Sequence, residues 1–190
     1  MRLPKIETER LLLRMYRAGE LETVYRLTTD PEVTAFFPPP PGFVTTREDV
    51  LSSLPRRRQK WETQGFGQLG VFEKRSENLI GYCGLQYLDR TPEIEIYYGF
   101  FKQSWGKGLA TEAAKAFVRF GFESLKLEKI VAVAQPKNFA SQKVLLKTGF
   151  RRESRLRRFY KADLNYFSLL RADYQSDARP YDLSLTETDD

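Results

Sequence analysis

The sequence predicts a mixed α/β domain built in layers, and three observations carry that prediction. Strand and helix patterns follow one another as strand, helices, three strands, helix, strand, helix and two strands, with no internal repeat. "KIVAVA" at 129–134 is continuously apolar and short, the pattern of a strand buried on both faces. "EIEIYYGFF" at 93–101, a strand pattern, hands over through the glycine turn "QSWGKG" to the helix formers "LATEAAKAF".

Each element has its own local reason. "RLLLRMY" at 10–16 reads as a short strand, and "AGELETVYRLTTD" places Leu21, Val24, Tyr25 and Leu27 at helical spacing. Asp30-Pro31 is a cap followed by a residue suited to the first turn, so "PEVTAFF" opens another helical turn. "PPPPG" at 38–42 can join neither helix nor sheet interior and is expected to be a stiff loop. Thr45 and Glu48 form a capping-box pattern for a helix over 46–64, in which Pro55 predicts a kink or a restart. "FGQLGVFEK" and "NLIGYCGLQYL" make a hairpin through "RSEN". Leu109, Ala113, Phe117 and Val118 share one helix face. Asn138 caps a helix that Gly149 stops, and "FRRESRLRRF" with "NYFSLLRADY" forms a last strand pair.

A length of 190 residues suits one domain, here 1–175, followed by an acidic tail at 176–190 that is expected to be flexible. The chain is 41% apolar, enough for a core, and 29% charged, which favours a soluble protein. No stretch approaches the roughly 20 apolar residues of a spanning helix, and the N-terminus has no signal-peptide core. With one cysteine, Cys83, no internal disulfide can form; a reducing cytoplasm is the expected setting and a small buried hydrophobe the expected role. The absence of histidine excludes Ser-His-Asp and Cys-His catalysis and histidine zinc sites, so no metal is expected. Any general base must be a carboxylate, a tyrosine, a lysine or a terminal amine.

The net charge of +6 is uneven: from residue 173 onward there are six acids and one base, leaving +11 on the remainder. "RRRQK" at 56–60 and "RRESRLRR" at 151–158 read either as solvated faces of a helix and a strand or as attraction for a polyanion.

Two glycine motifs invite a phosphate reading. "GFGQLG" at 65–70 fits G-x-G-x-x-G but leads from a helix into a strand, the wrong context for a dinucleotide turn. Gln103-Ser-Trp-Gly106-Lys-Gly108 has the right one. The first N–H groups of the helix that follows lack internal partners, and the glycines remove side chains that would hold an anion away. A pyrophosphate could sit on the amides of 106–111, with Lys107 supplying charge; plain turn glycines beside an exposed lysine are the alternative.

Thirty residues further on, "NFASQKVLLKTGF" supplies Asn138, Ser141, Gly149 and Phe150. Together with Gln103, Gly106 and Gly108, with Glu95-Ile96 and with Trp105, Ala110, Thr111, Glu112 and Ala113, these residues resemble the GNAT superfamily of acyl-CoA N-acyltransferases. The RimJ/RimL-like branch is the most similar, and "TERLLLR" and "TDPEVTAFF" match it too. The resemblance spans about residues 5–172. It implies a central, mostly antiparallel sheet with helices on both faces, splayed between the fourth and fifth strands.

The resemblance further implies acetyl-CoA as acyl donor, its pyrophosphate on Gln103, Trp105, Gly106, Lys107, Gly108, Leu109, Ala110 and Thr111, and its pantetheine arm in the splay by Gly99, Phe100, Phe101, Asn138 and Ser141. It implies oxyanion donors near Gly99 and Phe100, and direct attack of an amine through a tetrahedral intermediate. With no histidine, Glu95 is the leading base and Glu93, on the same strand face, the alternative. The superfamily's usual tyrosine acid falls on Leu145, which leaves Ser141 as proton donor or thiol-binding group. The acceptor is a primary amine, either a protein N-terminus or a small molecule, and the aromatic loop "FFPPPPGF" is expected to border it. The competing reading is a catalytically silent acetyl-CoA-binding or nucleic-acid-associated module. No membrane contact and no direct nucleic-acid ligand are expected, and the state is monomer or homodimer.

Overall fold

The computed structural model describes residues 2–37, 46–176 and 178–187. Nine strands lie in one sheet: β1 (Arg2–Thr8), β2 (Leu11–Arg14), β3 (Gln68–Glu73), β4 (Leu79–Tyr87), β5 (Ile94–Phe100), β6 (Lys129–Ala134), β7 (Arg151–Phe159), β8 (Ala162–Leu170) and β9 (Tyr181–Glu187). Their order is β7-β8-β6-β5-β4-β3-β2-β1-β9. All neighbours are antiparallel except β5 and β6, which run parallel around the helical crossover that such a pair requires.

Alternation along the strands builds a core on each face. Leu11 and Leu13 point to one side with Ile96 and Phe100, and meet Leu109, Ala113 and Phe117 of α4 (Leu109–Arg119). Leu12, Phe72, Tyr82 and Tyr97 point to the other, against Val24 and Leu27 of α1 (Leu21–Thr29) and Val33 of α2 (Pro31–Thr34). The helix α5 (Phe139–Lys147) lies beside α4 and sends Leu145 into the first core. The expected face of α4 is therefore its buried face, and Phe117 is fully enclosed.

The terminal elements depart from expectation. The segment 181–187 is no tail: β9 pairs with β1 over seven residues, from Thr8–Tyr181 to Arg2–Glu187. Tyr181, Leu183 and Leu185 alternate with polar residues, a period-two pattern that the acidic composition conceals. The strand β1 was not foreseen either, because Pro4 interrupts its pattern.

The helix α3 (Arg47–Gln64) is capped by Thr46 and Asp49, one residue on from the expected Thr45 and Glu48; Thr45 and the Pro-rich 38–42 lie outside the described residues. Asp49 N donates to Thr46 Oγ1 at 3.1 Å, and Thr46 N donates to Asp49 Oδ2 at 2.9 Å. Pro55 sits inside this one helix without a restart.

The sheet splits at its centre. Seven residue pairs join β4 to β5 and six join β6 to β8, but β5 and β6 share a single one, Glu95 with Val131. These are the fourth and fifth strands of the sequence reading, renumbered because β1 precedes them.

Candidate active site

Backbone geometry decides what the split exposes. Phe101 N donates to Ile80 O at 3.0 Å, so in the antiparallel register the polar groups of Phe101, Gly99, Tyr97 and Glu95 face β4. Those of Tyr98 and Phe100 point the other way, toward β6, which diverges beyond Val131. Trp105 Nε1 donates to Phe100 O at 2.7 Å, leaving the Phe100 N–H and both polar groups of Tyr98 to line the gap. Of the backbone donors near Gly99 and Phe100, that of Gly99 faces β4, while those of Tyr98 and Phe100 face the gap. Phe101 likewise spends its N–H on β4. Gly99 has a packing reason of its own, since a Cβ there would stand 2.6 Å from the Tyr82 ring and hydroxyl.

At the open end of the gap, the chain passes through a 3-10 turn, Lys102–Ser104, into the glycine loop. Gly106 (φ 74°) and Gly108 (φ 78°) both adopt left-handed backbone, which answers why glycines stand there. Gly108 is the N-cap of α4 and no side chain caps the helix. Glu112 N reaches Gly108 O at 3.0 Å, so the amides of Leu109, Ala110 and Thr111 precede the first intrahelical bond. Gln103, Trp105 and Lys107 are exposed around them. Glu112 is buried and structural: it accepts from Thr8 Oγ1 at 2.6 Å and from Arg10 Nε at 2.7 Å, while Arg10 Nη1 donates to Lys107 O at 3.0 Å. One carboxylate thereby fastens the loop to the β1–β2 turn.

At the vertex stands Glu95, 2% exposed. Gln86 Nε2 donates to its Oε1 at 2.7 Å, and the Tyr160 hydroxyl donates to the same oxygen. Burial pushes the Glu95 carboxyl up to about 7; the two hydrogen bonds oppose that rise and the Asp89 charge adds to it. Glu93 differs. Burial would raise it too, but its ion pair with Lys129 and the Tyr166 hydroxyl at 2.7 Å hold it below the ordinary carboxylate range. Of the two carboxylates, only Glu95 is poised near neutrality.

Across the gap, Asn138 Oδ1 accepts from Ser141 N at 3.0 Å and caps α5. The Ser141 hydroxyl lies 3.1 Å from the Tyr98 hydroxyl. Burial raises the Tyr98 phenol far above its ordinary value, so it stays a neutral donor. Leu145, where the superfamily's tyrosine would fall, is 1% exposed in the core. Sequence reasoning missed Tyr98, Gln86 and Tyr160. Tyr98 was within reach as the strand neighbour of Tyr97; Tyr160, on a turn 65 residues from Glu95, gave no signal. Phe36 reaches this region, its carbonyl accepting from Gln135 Nε2 at 3.1 Å just past β6. Cys83 is fully buried and its thiol is raised by that burial, as a core residue's would be.

A mixed nine-stranded sheet with helices on both faces is the fold of solved N-acetyltransferases. The chain belongs to the GNAT acetyltransferase family: the acetyltransferase (GNAT) domain matches residues 10–151. It is 32% identical over 174 residues to an uncharacterized N-acetyltransferase, p20, of Bacillus licheniformis, covering 88% of this chain and 96% of that one. A GNAT-family acetyltransferase from Bacillus anthracis superposes with TM-score 0.72 at 28% identity, over 88% of this chain and 99% of the other. RimL, a ribosomal L7/L12 α-N-protein acetyltransferase solved with coenzyme A, shares the fold with TM-score 0.70 at 14% identity, over 86% and 95% of the two chains.

Proposed function

We propose that this protein transfers the acetyl group of acetyl-CoA to a primary amine by direct attack, with Glu95 as base and Ser141 as acid. The observation that carries the reading is the Glu95 carboxyl, raised to about 7 at the vertex of the split sheet. A base of that strength is half ionised at neutral pH and matched to proton removal there.

The residues present fit the donor. The uncapped amides of Leu109, Ala110 and Thr111, with Lys107, suit a pyrophosphate. The Tyr98 carbonyl and the Phe100 N–H suit the amides and carbonyls of a pantetheine arm lying in the gap as a short extra strand. Acetyl-CoA, when bound, supplies a thioester carbon activated for attack. The Tyr98 N–H, the gap-lining donor nearer Glu95, suits the oxygen that gains charge. Glu95 takes a proton from the attacking amine, directly or through water, as the C–N bond forms. As the C–S bond breaks, Ser141 relays a proton to the departing thiolate and is reprotonated from solvent, to which Glu95 releases the proton it took; Tyr98 orients the serine hydroxyl.

An α-amine with pKa near 8 is roughly one-tenth neutral at pH 7, whereas a lysine near 10.4 is neutral in about one molecule in 2,500. A single carboxylate base therefore suits an α-amine, and a peptide N-terminus or an amino compound of similar basicity is the acceptor class we favour. The test is free-thiol release from acetyl-CoA with a panel of N-terminal peptides and small amines. Acyl transfer should appear with an α-amine and fall roughly 10²–10⁴-fold in kcat in Glu95→Gln. Acetyl-CoA binding without turnover on any amine would mean a silent binding module instead.

A further inference from the structure

We infer that Tyr160 is the positioning residue of this site: its hydroxyl ties down Glu95 Oε1, so that Oε2 is the oxygen that takes the acceptor's proton. The inference rests on the reading of Glu95 as base.

Tyr160 belongs to neither the glycine loop nor the split strands. It occupies, with Lys161, the two-residue turn between β7 and β8, and both residues are left-handed (φ 50° and 63°) without being glycine. Such a conformation costs roughly 1–2 kcal/mol per residue and persists only where its surroundings hold it. The hairpin pairing of Phe159 with Ala162 and a cluster of Leu88, Val131 and Tyr166 hold the turn, and its polar contacts reach the β4–β5 end of the sheet. Tyr160 N donates to Asp89 Oδ2 at 2.5 Å, and the Tyr160 oxygen accepts from Asp89 N and Gln86 Nε2, each at 3.3 Å. Its own proton goes to Glu95 Oε1.

The carboxylate is consequently asymmetric. Oε1 receives two donors, Gln86 Nε2 and the Tyr160 hydroxyl, while no described group hydrogen-bonds Oε2. Two donors on one oxygen fix the carboxyl plane and leave the other oxygen's lone pairs for the reacting proton. The groups facing Glu95 are Gln86 from β4, Asp89 from the β4–β5 loop, Tyr97 two residues along β5, Tyr160 from the β7–β8 turn and the neutral Val131 from β6. Glu93, two residues away, is engaged by Lys129 and Tyr166. Burial and the Glu95 charge both keep the Tyr160 phenol protonated, so it stays a donor throughout the neutral range.

Removing only the hydroxyl separates positioning from scaffolding. In Tyr160→Phe, Glu95 loses a charge-assisted donor and should hold its proton about tenfold more tightly, moving its ionisation midpoint up by about one pH unit. The midpoint is read without any acceptor, by carbon-13 NMR of glutamate carboxyls in the full chain, with the Glu95 resonance identified by its loss in Glu95→Gln. The acid limb of kcat/KM, with acetyl-CoA and the best amine of the panel, should move upward by the same amount and recover much of its plateau at high pH. Tyr160→Met, which also lacks the hydroxyl, should shift both readouts in the same sense. An unmoved NMR midpoint in both variants overturns the inference, whatever Glu95→Gln does to the rate. A moved midpoint with an unmoved rate limb overturns the base assignment itself, and the positioning role with it.

Discussion

The hydroxyls of Tyr98 and Ser141 stand 3.1 Å apart, joining β5 to the first turn of α5 across the open part of the sheet. Tyr98 also reaches the Ser141 carbonyl at 3.1 Å, so the two residues meet through both side chain and backbone. Tyr98 has one hydroxyl proton: given to the Ser141 carbonyl, it leaves the serine donating to Tyr98; given to the Ser141 hydroxyl, it leaves the serine's own proton for another acceptor.

Ser141→Ala should lower kcat roughly 10- to 100-fold, the weak end of acid catalysis, because a thiol near pKa 8.5 leaves tolerably as a thiolate. The fold should survive, since Asn138 caps α5 through the backbone N–H of residue 141. Kinetics at saturating acetyl-CoA decide the matter; an unchanged kcat would make the hydroxyl a helix-turn group. Installing a tyrosine by Leu145→Tyr should fail to rescue the rate, because that side chain is 1% exposed and the larger ring would overpack the core by about 1–3 kcal/mol.

Gly108→Val should greatly weaken acetyl-CoA. Its φ of 78° penalises a branched residue, although a Cβ there would meet Arg10 Nη2 at 3.5 Å, an ordinary contact; the strain would distort the loop itself. Titration calorimetry with acetyl-CoA provides the check, with circular dichroism as the control for folding. Affinity within about twofold of wild type would remove the loop from the binding site.

Glu95→Gln should stabilise the protein while impairing it. The folded Glu95 titrates at about 7 against an ordinary 4.5, so between those values the folded state holds a proton that the unfolded state releases. Stability therefore falls as pH rises through that window and is fully lost above it, by about 3 kcal/mol. The amide variant should melt well above wild type at pH 8 and close to it at pH 4.5. Equal melting points at both pH values would mean that Glu95 is not held near neutrality.

Glu112→Ala should cost about 2 kcal/mol, less than a fully enclosed ion pair, because Arg10 is 45% exposed. It should also loosen the glycine loop, since Arg10 bridges Glu112 and the Lys107 carbonyl. Urea unfolding and acetyl-CoA titration should both register the change; stability lost with affinity intact would confine Glu112 to the scaffold.

What the sequence disclosed follows from how local each cause is. Glycines at Gly106 and Gly108, the Asn138 cap and the apolar face of α4 depend on neighbours a few residues away, and all stand where the patterns put them. The capping box slipped by one residue because Thr45-Thr46 and Glu48-Asp49 offer two equivalent pairs, and only the backbone at Thr46 selects one. The strand β9 was hidden by acids whose solvation is compatible with an edge strand. Glu95 was a candidate from strand alternation, but its choice over Glu93 depends on Lys129, Tyr166, Tyr160 and Gln86, groups brought together by sheet order.

The single Glu95–Val131 backbone pair divides the sheet into two leaves, β7-β8-β6 on one side and the remaining strands on the other, with side-chain contacts as the other links between them. Rotation about such a joint leaves the joint in place and moves each atom in proportion to its distance from it. From Glu95 to Phe100 the strand advances roughly 16 Å at about 3.3 Å per residue, so a tilt of a few degrees widens the glycine-loop end by about an ångström. The same tilt shifts the carboxyl very little. Any tilt of the leaves is therefore felt at the Phe100 end of the gap and barely at Glu95.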